Sequence, residues 1–532
     1  MIAIRVDTRC GLGHFMRMKW LAKALIEQHQ QVVMLVDENT VPARFYQDMD
    51  IVLVEVPQQP DPVSDAQFAL DILAHRGDMV SRWVVDGYGF DVRWESRIRK
   101  SGVPLLAMDD LAREHVADLV VDAKWQGSQT AVRYDGKLAA HSQTLLGPDY
   151  SILAPEYHCP AAQTRDGGLL FSLGGGGDWH VPAAWIDRLL KTPPQGLETT
   201  AIKVVIGPKA TGTEQLRSLA AQQPRLTLIE QATSLAQYYQ RCGLFVGALG
   251  TSLYELAATQ TPALSFSLAD NQNNAQADLE ALGHYLHIPN LLTHATHKVV
   301  ELIASLFSAH TRVQQLCAEA SVIVDGMGAK RIASVLLGNA VSGLTLARSA
   351  SSEPGVSWAL ADNLHLYPVT DKHINSYLNA RNRSDNAWRM TITDRIDKVD
   401  HYRWWFRQTR DSFVLSQDGE PLLYVWHQCA EIAGQTYLFG GWFAASDKVN
   451  FVHAQLILQW QLSHTAQVYP DAIWVAVINK QNRFVNLLNE RAGFVALTEN
   501  EPGHDAARLL FPNASPADFN FVAKYPLRTD CE

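Results

Sequence analysis

MIAIRVD at residues 1–7 and GLGHFMR at residues 11–17 decide the fold at the N-terminus of the chain. The apolar start predicts a buried strand, the glycines a tight turn, and residues 15–25 a helix. His14 therefore stands where a loop enters a helix. Unpaired N–H groups and the helix dipole favour phosphate there, and a nearby histidine can act as a base. The structural alternative is a glycine turn with a surface histidine.

Length and composition define the broad class of the chain. Its 532 residues exceed one hydrophobic core, so three or four domains are expected. Apolar residues make up 47%, within the range of globular proteins. The formal net charge of −10 disfavours nucleic acid or an anionic membrane as a partner. The six cysteines are widely spaced without a CxxC pair, which indicates a reduced, cytoplasmic protein. Neither a signal peptide nor a membrane span is predicted.

The first 338 residues alternate short apolar runs with helical patterns, which is typical of βαβ units and parallel sheets. A first lobe is predicted over residues 1–160, and its strands after the N-terminal one are 32–36, 51–56, 83–85, 105–108, 119–121 and 144–146. A second lobe is predicted over residues 161–338, and its strands are 169–173, 201–206, 226–229, 244–246 and 263–267. The expected fold class is α/β, with two Rossmann-like lobes facing a cleft.

The rest of the chain predicts a linker and a further domain. Residues 339–362 are rich in small and polar side chains, which indicates a linker. Residues 363–532 contain many tryptophans and predict an α+β domain in strand–strand–helix–strand–helix order. These tryptophans indicate core and interface packing rather than a surface for stacking nucleic acid bases.

Polar or glycine-containing loops follow several predicted strands, where a ligand cleft would lie. They are DGYG at residues 86–89, DDL at 109–111, GGGGD at 174–178, GALGTS at 247–252 and DNQN at 270–273. One such loop is commonly a turn or a helix cap, but a series at successive strand ends indicates a binding cleft. Backbone N–H groups of residues 247–252 could hold a diphosphate, and Glu255 could accept hydrogen bonds from a ribose.

Residues 1 to about 337 resemble the UDP-sugar hydrolases of pseudaminic acid biosynthesis. The resemblance rests on GLGHFMR and on the motifs VDGYGFD at 85–91, MDDLA at 108–112, DLVVD at 118–122, LGPDY at 146–150, PEY at 155–157, GTSLYE at 250–255 and NQ at 271–272. It implies a glycosyltransferase-B-like fold that hydrolyses UDP-2,4-diacetamido-2,4,6-trideoxy-β-L-altropyranose to UDP and the free sugar. Neither a metal nor another cofactor is implied for this reaction.

The same resemblance implies which residues form the site. Its catalytic residues are His14, which orients or deprotonates the attacking water, and Tyr88 and Asn271 near the sugar and the diphosphate. Glu255 is placed at the uridine ribose. The substrate-binding candidates are Gly11, Gly13, Arg17, Asp7, Asp86, Gly174, Gly250, Thr251, Ser252, Glu255 and Gln272. Asp7 and Asp86 both stay open as the carboxylate that orients His14.

The C-terminal domain resembles the GCN5-related N-acetyltransferases. The resemblance rests on WVAVINKQN at residues 474–482, on a helix that leads to Gly-Phe at 493–494, and on DHYRWWF at 400–406. It implies acetyl-CoA as cofactor, a 4-amino UDP-sugar as acceptor, and Asn479, Asn482 and Asn489 as site residues. The chain departs from that family in the glycine-free loop at 446–453, where a phosphate cradle is expected, and in Asn489, where tyrosine is common. Acetyl transfer and loss of cofactor binding both stay open.

The leading functional hypothesis is a cytoplasmic UDP-sugar hydrolase fused to an acetyltransferase-like domain. A glycosyltransferase that passes the sugar to an acceptor is the enzymatic alternative. A UDP-sugar-binding scaffold without turnover is the non-enzymatic alternative. Formation of free sugar and UDP without any acceptor distinguishes hydrolysis from both.

Overall fold

The computed structural model describes residues 1–9, 12–47, 49–158, 165, 167–232, 234–250, 252–268, 274–341 and 356–526. The chain divides into two compact units, Met1–Ala350 and Ser351–Glu532. This division falls inside the predicted linker 339–362. The end of that segment differs from the prediction, because Trp358–Ala361 forms a strand. Trp358 packs against Phe413 and Trp460, so the C-terminal sheet begins earlier than expected.

The first sheet of the N-terminal unit is parallel and has the strand order β3-β2-β1-β4-β5-β6-β7. Its strands are β1 (Ile2–Val6), β2 (Val32–Asp37), β3 (Val52–Val56), β4 (Arg82–Asp86), β5 (Leu105–Met108), β6 (Leu119–Asp122) and β7 (Gln143–Leu146), and its helices are α1 (Gly13–Ile26), α2 (Pro62–His75) and α3 (Val92–Arg99). Ile2 and Ile4 pack into one core with α1, whereas Ala3 packs into the opposite core with α2 and α3. Burial on both faces explains why β1 is apolar except for Arg5, whose buried guanidinium pairs with Asp37 and Asp65.

The second sheet is also parallel, with the order β12-β10-β8-β13-β14 and a separate pair β9-β11. Its strands are β8 (Leu169–Ser172), β9 (Gly176–Asp178), β10 (Ile202–Ile206), β11 (Lys209–Thr211), β12 (Leu226–Glu230), β13 (Leu244–Ala248) and β14 (Ala263–Phe266). The helices that follow in this half are α4 (His180–Lys191), α5 (Glu214–Gln222), α6 (Ala236–Arg241), α7 (Ser252–Ala258), α8 (Gln276–Ala281), α9 (Thr296–Ser308), α10 (His310–Ala318) and α11 (Gly328–Leu336). Two Rossmann-like sheets are thus present, and the expected α/β class is confirmed.

Two features of the second half differ from the sequence prediction. Part of the glycine run 174–178 is strand β9, which pairs with β11 instead of forming an open loop. The segments that lead into β9 and β11 approach each other closely, since a Cβ on Gly207 would lie 2.2 Å from the Gly174 carbonyl oxygen. Helix α11, assigned to the second lobe, packs in the core of the first sheet through Ile332 and Leu336, because its apolar face meets α1 there. The lobe boundaries at 160 and 338 otherwise stay predictions.

The C-terminal unit contains one mixed sheet with the order β15-β16-β17-β18-β19-β20-β22-β21. Its strands are β15 (Trp358–Ala361), β16 (Leu364–Pro368), β17 (Asp411–Gln417), β18 (Glu420–Ile432), β19 (Gln435–Ala444), β20 (Ile473–Asn479), β21 (Val495–Ala496) and β22 (Phe519–Lys524). Its helices are α12 (Ile374–Arg381), α13 (Ser384–Ala387), α14 (Lys398–Trp405), α15 (Phe451–Val468), α16 (Arg483–Arg491) and α17 (Pro502–Leu510). The expected α+β class is confirmed.

Every helix among the described residues is too short or too polar to span a membrane.

Gly247 is the position where the second sheet tolerates no side chain. It pairs with Ser172, and an added Cβ would lie 2.0 Å from the Ser172 carbonyl oxygen. We expect Gly247→Ala to lower the free energy of unfolding by about 3 kcal/mol, since backbone of β8 or β13 must move. Gly175→Ala is the matched control, because nothing lies within 4 Å of its added Cβ. Equal urea midpoints for the two variants would contradict this account.

Candidate active site

The first sheet reverses its strand order between β1 and β4, and the helices that follow these strands, α1 and α3, cover opposite faces of the sheet. Parallel α/β sheets bind ligands at the carboxyl edge of such a switch point. The β1 loop leads into α1 with His14 and Arg17, and the β4 loop carries Asp86 and Tyr88. Four predicted site residues are therefore brought together by topology.

His14 is oriented by Asp86, the last residue of β4. Its Nδ1 lies 2.9 Å from Asp86 Oδ1, the carboxylate is fully buried, and the imidazole is 12% exposed. Burial raises the pKa of Asp86, but the charge of Arg17 and hydrogen bonds from Arg17 and His14 outweigh it and hold the pKa below its ordinary value. An ionised carboxylate only accepts, so Nδ1 donates to it and Nε2 keeps the basic lone pair.

Asp7, the other carboxylate left open by the sequence, has different partners. Its side chain accepts hydrogen bonds from the backbone N–H groups of Arg9 and Gly89, at 3.2 and 3.1 Å. The β1 and β4 loops approach closely here, since a Cβ on Gly87 would lie 2.2 Å from Asp7 Cβ. Asp7 therefore joins the two loops, and Asp86 holds the imidazole.

Arg17 completes the cluster from one turn further along α1. Its Nε donates to Asp86 Oδ2 at 2.5 Å, and its Nη2 donates to Asp86 Oδ1. Nη2 also lies 3.0 Å from His14 Nδ1, so all three groups are in contact. Arg17 keeps the buried carboxylate charged, and Asp86 in turn holds the N-terminal turn of α1 against β4.

Tyr88 lies against the same imidazole. Its ring meets the His14 ring edge-on at a centroid distance of 4.8 Å, and its hydroxyl donates to Asp110 at 3.0 Å. Burial, followed by the charge of Asp110, raises the pKa of Tyr88 to about 12. The hydroxyl therefore stays protonated near neutral pH and serves as a donor or a positioning group.

The N-terminal turn of α1 provides donors beside this cluster. The first N–H bond inside the helix runs from Met16 to the Leu12 carbonyl, and Leu12 has no side-chain cap to offer. The N–H groups of Gly13, His14 and Phe15 precede that bond and lie at the positive end of the helix dipole. Gly13 is exposed, and no atom lies within 4 Å of where its Cβ would be. An anion could approach this turn directly.

A second buried polar cluster supports the loop after β5. His115 Nδ1 lies 2.6 Å from Glu95 Oε1, and His115 Nε2 lies 3.3 Å from Asp109 Oδ2. Burial lowers the pKa of His115, but the hydrogen bonds to Asp109 and Glu95 outweigh it and raise the pKa to about 9. The protonated imidazole thus fixes Asp109, and its neighbour Asp110 is held near Tyr88 and Arg17. The sequence motif contained Asp110, but the site prediction omitted it.

The second sheet has its own switch point, between β8 and β13. Gly174 follows β8 and Gly250 follows β13, and both are exposed. The hydroxyl of Ser252 donates to the Ala248 carbonyl oxygen at 3.0 Å, so its proton is used within the loop. These loops lie where the sequence predicted a diphosphate site, and their role stays a prediction.

Glu255 lies in the first turn of α7 and is partly buried. Burial raises its pKa to about 7, although a hydrogen bond from the Tyr157 hydroxyl opposes this effect. Glu255 therefore changes its charge near neutral pH. The ionised form is the stronger acceptor for ribose hydroxyl groups.

Helix α7 contacts the first lobe through Tyr254. The Tyr254 hydroxyl accepts a hydrogen bond from the Trp125 backbone N–H at 2.9 Å, in the segment that follows β6. Its electrostatic neighbours include Asp110, which also binds Tyr88 and Arg17. The helix that carries Glu255 is thus linked to the His14 side of the unit.

Four predicted site residues, Gly11, Thr251, Asn271 and Gln272, lie outside the described residues. Among the described residues, no group of three or more His, Cys, Asp and Glu side chains is arranged to hold a metal ion. The expectation of a cofactor-free hydrolase stays a prediction.

The three asparagines expected at the acetyltransferase-like site bond to backbone groups. Asn479 ends β20, accepts from the Gln481 N–H at 2.9 Å and donates to the Trp388 carbonyl oxygen at 3.2 Å. Asn482 caps α16 by accepting from the Val485 N–H. Asn489 donates to the Val485 carbonyl oxygen at 2.9 Å. These contacts shape the turn between β20 and α16, and any catalytic role of the three residues stays a prediction.

The glycine-free loop after β19 is a poor fit for a cofactor diphosphate. The Ser446 N–H donates to the Leu422 carbonyl oxygen, the Lys448 N–H to the Ser446 hydroxyl, and the His453 N–H to the Asn450 side chain. Asp447 adds a carboxylate, which pairs with Arg383. Several backbone donors are thus already satisfied, and Asp447 places a carboxylate beside Lys448 where an anion would bind.

No protein-family model matches this sequence, and no curated protein matches it. Among solved structures, MurG of Acinetobacter baumannii is 14% identical over 63% of this chain and 99% of its own, with a TM-score of 0.41. A glycosyltransferase of Rickettsia africae is 12% identical over 64% and 99%, with a TM-score of 0.39. RimL, a ribosomal L7/L12 α-N-protein acetyltransferase in complex with coenzyme A, is 12% identical over 32% and 98%, with a TM-score of 0.25.

The charge of Glu255 makes the stability of the protein pH-dependent. The folded pKa of about 7 exceeds the ordinary value of 4.5, so the folded chain binds the proton more tightly and loses stability as pH rises between these values. Relative to Glu255→Gln, we expect the wild type to lose about 2 kcal/mol of unfolding free energy between pH 5 and pH 8.

Chemical denaturation at several pH values measures this difference. Glu156→Gln is the matched control, because it removes an exposed glutamate beside Tyr157 and should keep the wild-type pH profile. Parallel profiles for the wild type and Glu255→Gln would show that Glu255 does not carry the effect.

Proposed function

We propose that the N-terminal unit hydrolyses UDP-2,4-diacetamido-2,4,6-trideoxy-β-L-altropyranose to UDP and the free sugar. One observation carries the proposal: His14, Asp86 and Arg17 form a contact cluster at the switch point of the first sheet, beside the uncapped start of α1. This arrangement combines a base with donors for an anion. The identity of the sugar rests on the sequence resemblance.

The reaction needs a water molecule placed opposite the leaving group. The water oxygen attacks the anomeric carbon while His14 Nε2 takes its proton, and the bond from that carbon to the diphosphate oxygen breaks. Asp86 stabilises the imidazolium that forms, since its carboxylate accepts from Nδ1. UDP leaves with the bonding electrons, and backbone donors at helix starts and glycine loops stabilise its charge.

The surrounding residues position the reactants. Tyr88 packs against the His14 ring and limits its rotation, and Asp110 holds the Tyr88 hydroxyl. Glu255 is suited to the ribose, where an ionised carboxylate accepts from both hydroxyl groups. This assignment accounts for a partly buried carboxylate on the helix that contacts the first lobe.

Acetyl transfer by the C-terminal unit stays a prediction from the resemblance. The loop at 446–453 argues against strong binding of coenzyme A, so no step of the proposed reaction depends on it. Incubation of the 4-amino UDP-sugar with acetyl-CoA, followed by NMR, tests that activity separately.

Variants of the base and its carboxylate test the mechanism. We expect His14→Ala and Asp86→Asn to lower kcat by roughly 10²-fold or more, because proton transfer and its orientation are lost. Binding of UDP should persist in His14→Ala. The control is His75→Ala, an exposed histidine of α2 that should keep wild-type turnover. A His14→Ala variant with full activity would overturn the proposed base.

The products distinguish hydrolysis from its alternatives. Without an acceptor, we expect equal amounts of UDP and free sugar, and the first sugar formed in ¹⁸O-labelled water should carry the label with inverted anomeric configuration. Time-resolved NMR and mass spectrometry measure both properties. A requirement for an acceptor would favour a glycosyltransferase, and tight binding without turnover would favour a scaffold. A retained configuration would exclude direct attack by water.

A further inference from the structure

The segment of residues 123–134, which follows β6, contacts both lobes of the N-terminal unit. On the first-lobe side, Arg133 binds the carboxylate of Asp122, the last residue of β6. On the second-lobe side, the Trp125 N–H donates to the Tyr254 hydroxyl of α7 at 2.9 Å, and the Trp125 ring packs against the core of the second sheet. The segment therefore joins the two halves between which the cleft is expected.

The Arg133 guanidinium binds three acceptors at once. Its Nε donates to Asp122 Oδ2 at 2.6 Å, its Nη1 to Gln126 Oε1 at 2.5 Å, and its Nη2 to the Asp110 carbonyl oxygen at 2.6 Å. The Arg133 side chain is 9% exposed, and the Asp122 carboxylate is fully buried. A rigid, planar fork of N–H donors can fix three acceptors in one geometry, whereas an ammonium group on a flexible stem cannot.

Asp110 connects Arg133 to the cluster around the proposed base. Arg133 binds the backbone carbonyl of Asp110, while the Asp110 carboxylate accepts from the Tyr88 hydroxyl at 3.0 Å. The same carboxylate lies 3.5 Å from Arg17 Nη1. Tyr88 and Arg17 both contact His14. A shift of the Asp110 backbone would therefore displace two groups that lie against the proposed base.

The structural alternative is that Arg133 only neutralises Asp122, because a buried carboxylate needs a cation. The neighbouring side chain favours a wider role. The Tyr134 hydroxyl lies 2.8 Å from Asp109 Oδ2 and 3.0 Å from Asp122 Oδ2. Two consecutive residues of the segment thus hold two consecutive residues of the loop after β5.

We propose that Arg133 is a positioning residue for the proposed hydrolysis. It fixes the backbone of Asp110 and thereby places Tyr88 and Arg17 beside the base. Because the same segment binds α7, this placement is kept in register with the helix that carries Glu255. The role rests on the proposed function, and it requires no contact between Arg133 and the substrate.

A double-mutant cycle on kcat tests the path through Asp110. We expect Arg133→Gln to lower kcat roughly tenfold or more and to leave the Kd for UDP within about twofold, because the displaced base cluster slows the chemical step. Asp110→Ala removes the carboxylate but keeps the carbonyl oxygen that Arg133 binds. In that background, Arg133→Gln should cost little further activity.

Arg225→Gln is the matched control for the cycle. Arg225 is also partly buried, and it also donates to backbone carbonyl oxygens, among them those of Leu190 and Leu197. It immediately precedes β12, so it lies at the amino end of that strand rather than at the carboxyl edge where ligands bind. Its removal should lower the melting temperature and leave kcat at the wild-type level.

Fluorine NMR gives a readout that does not require turnover. A single 3-fluorotyrosine in place of Tyr88 reports the contact of its hydroxyl with the Asp110 carboxylate. We expect Arg133→Gln to move this resonance towards its position in Asp110→Ala, and Arg225→Gln to leave it unchanged. Arg133→Lys keeps a charge beside Asp122 and replaces Arg133→Gln if that variant does not fold. It should move the resonance in the same direction, because it cannot reach all three acceptors.

The outcomes separate this role from the proposed function. If the wild type releases no UDP from the sugar, the proposed function fails, and the fluorine resonance alone shows whether Arg133 positions Tyr88. Non-additive losses of kcat together with a displaced resonance support the positioning role. Losses of kcat that add in the double variant, or a resonance that keeps its wild-type position in Arg133→Gln, overturn it.

Discussion

The rest of the active-site geometry depends on the pairing of the buried Asp86 carboxylate with His14 and Arg17. A charge without solvent must be paired, and here both partners come from one helix, α1. His14 and Arg17 are three residues apart, so one helical turn presents both to the end of β4. The same ion cluster therefore orients the base, pins the helix start and places its N–H donors beside the base.

Much of the N-terminal fold could be predicted from the sequence because parallel strands buried on both faces are apolar runs and their loops contain glycine. The sequence could not decide whether Asp7 or Asp86 orients His14. Asp86 is 72 positions from His14, and the contact depends on the register of β1 with β4. The return of α11 to the first sheet was missed for a related reason, since its amphipathic pattern predicts a helix but not the sheet that it covers.

In the C-terminal unit, the sequence predicted the fold class better than the site residues. Its α+β class follows from strand and helix patterns, but the asparagines selected by motif bond to backbone groups, as asparagine often does at turns.

Helix α11 has a mechanical consequence. Because it returns to the first sheet, the polypeptide crosses between the two lobes twice, and the crossings touch: a Cβ on Gly328 would lie 2.1 Å from the Ser151 carbonyl oxygen, and Arg331 donates to the Asp149 carbonyl oxygen at 3.0 Å. The two lobes are therefore joined covalently at two places, and the chain segments on the first-lobe side of these connections pack directly on each other.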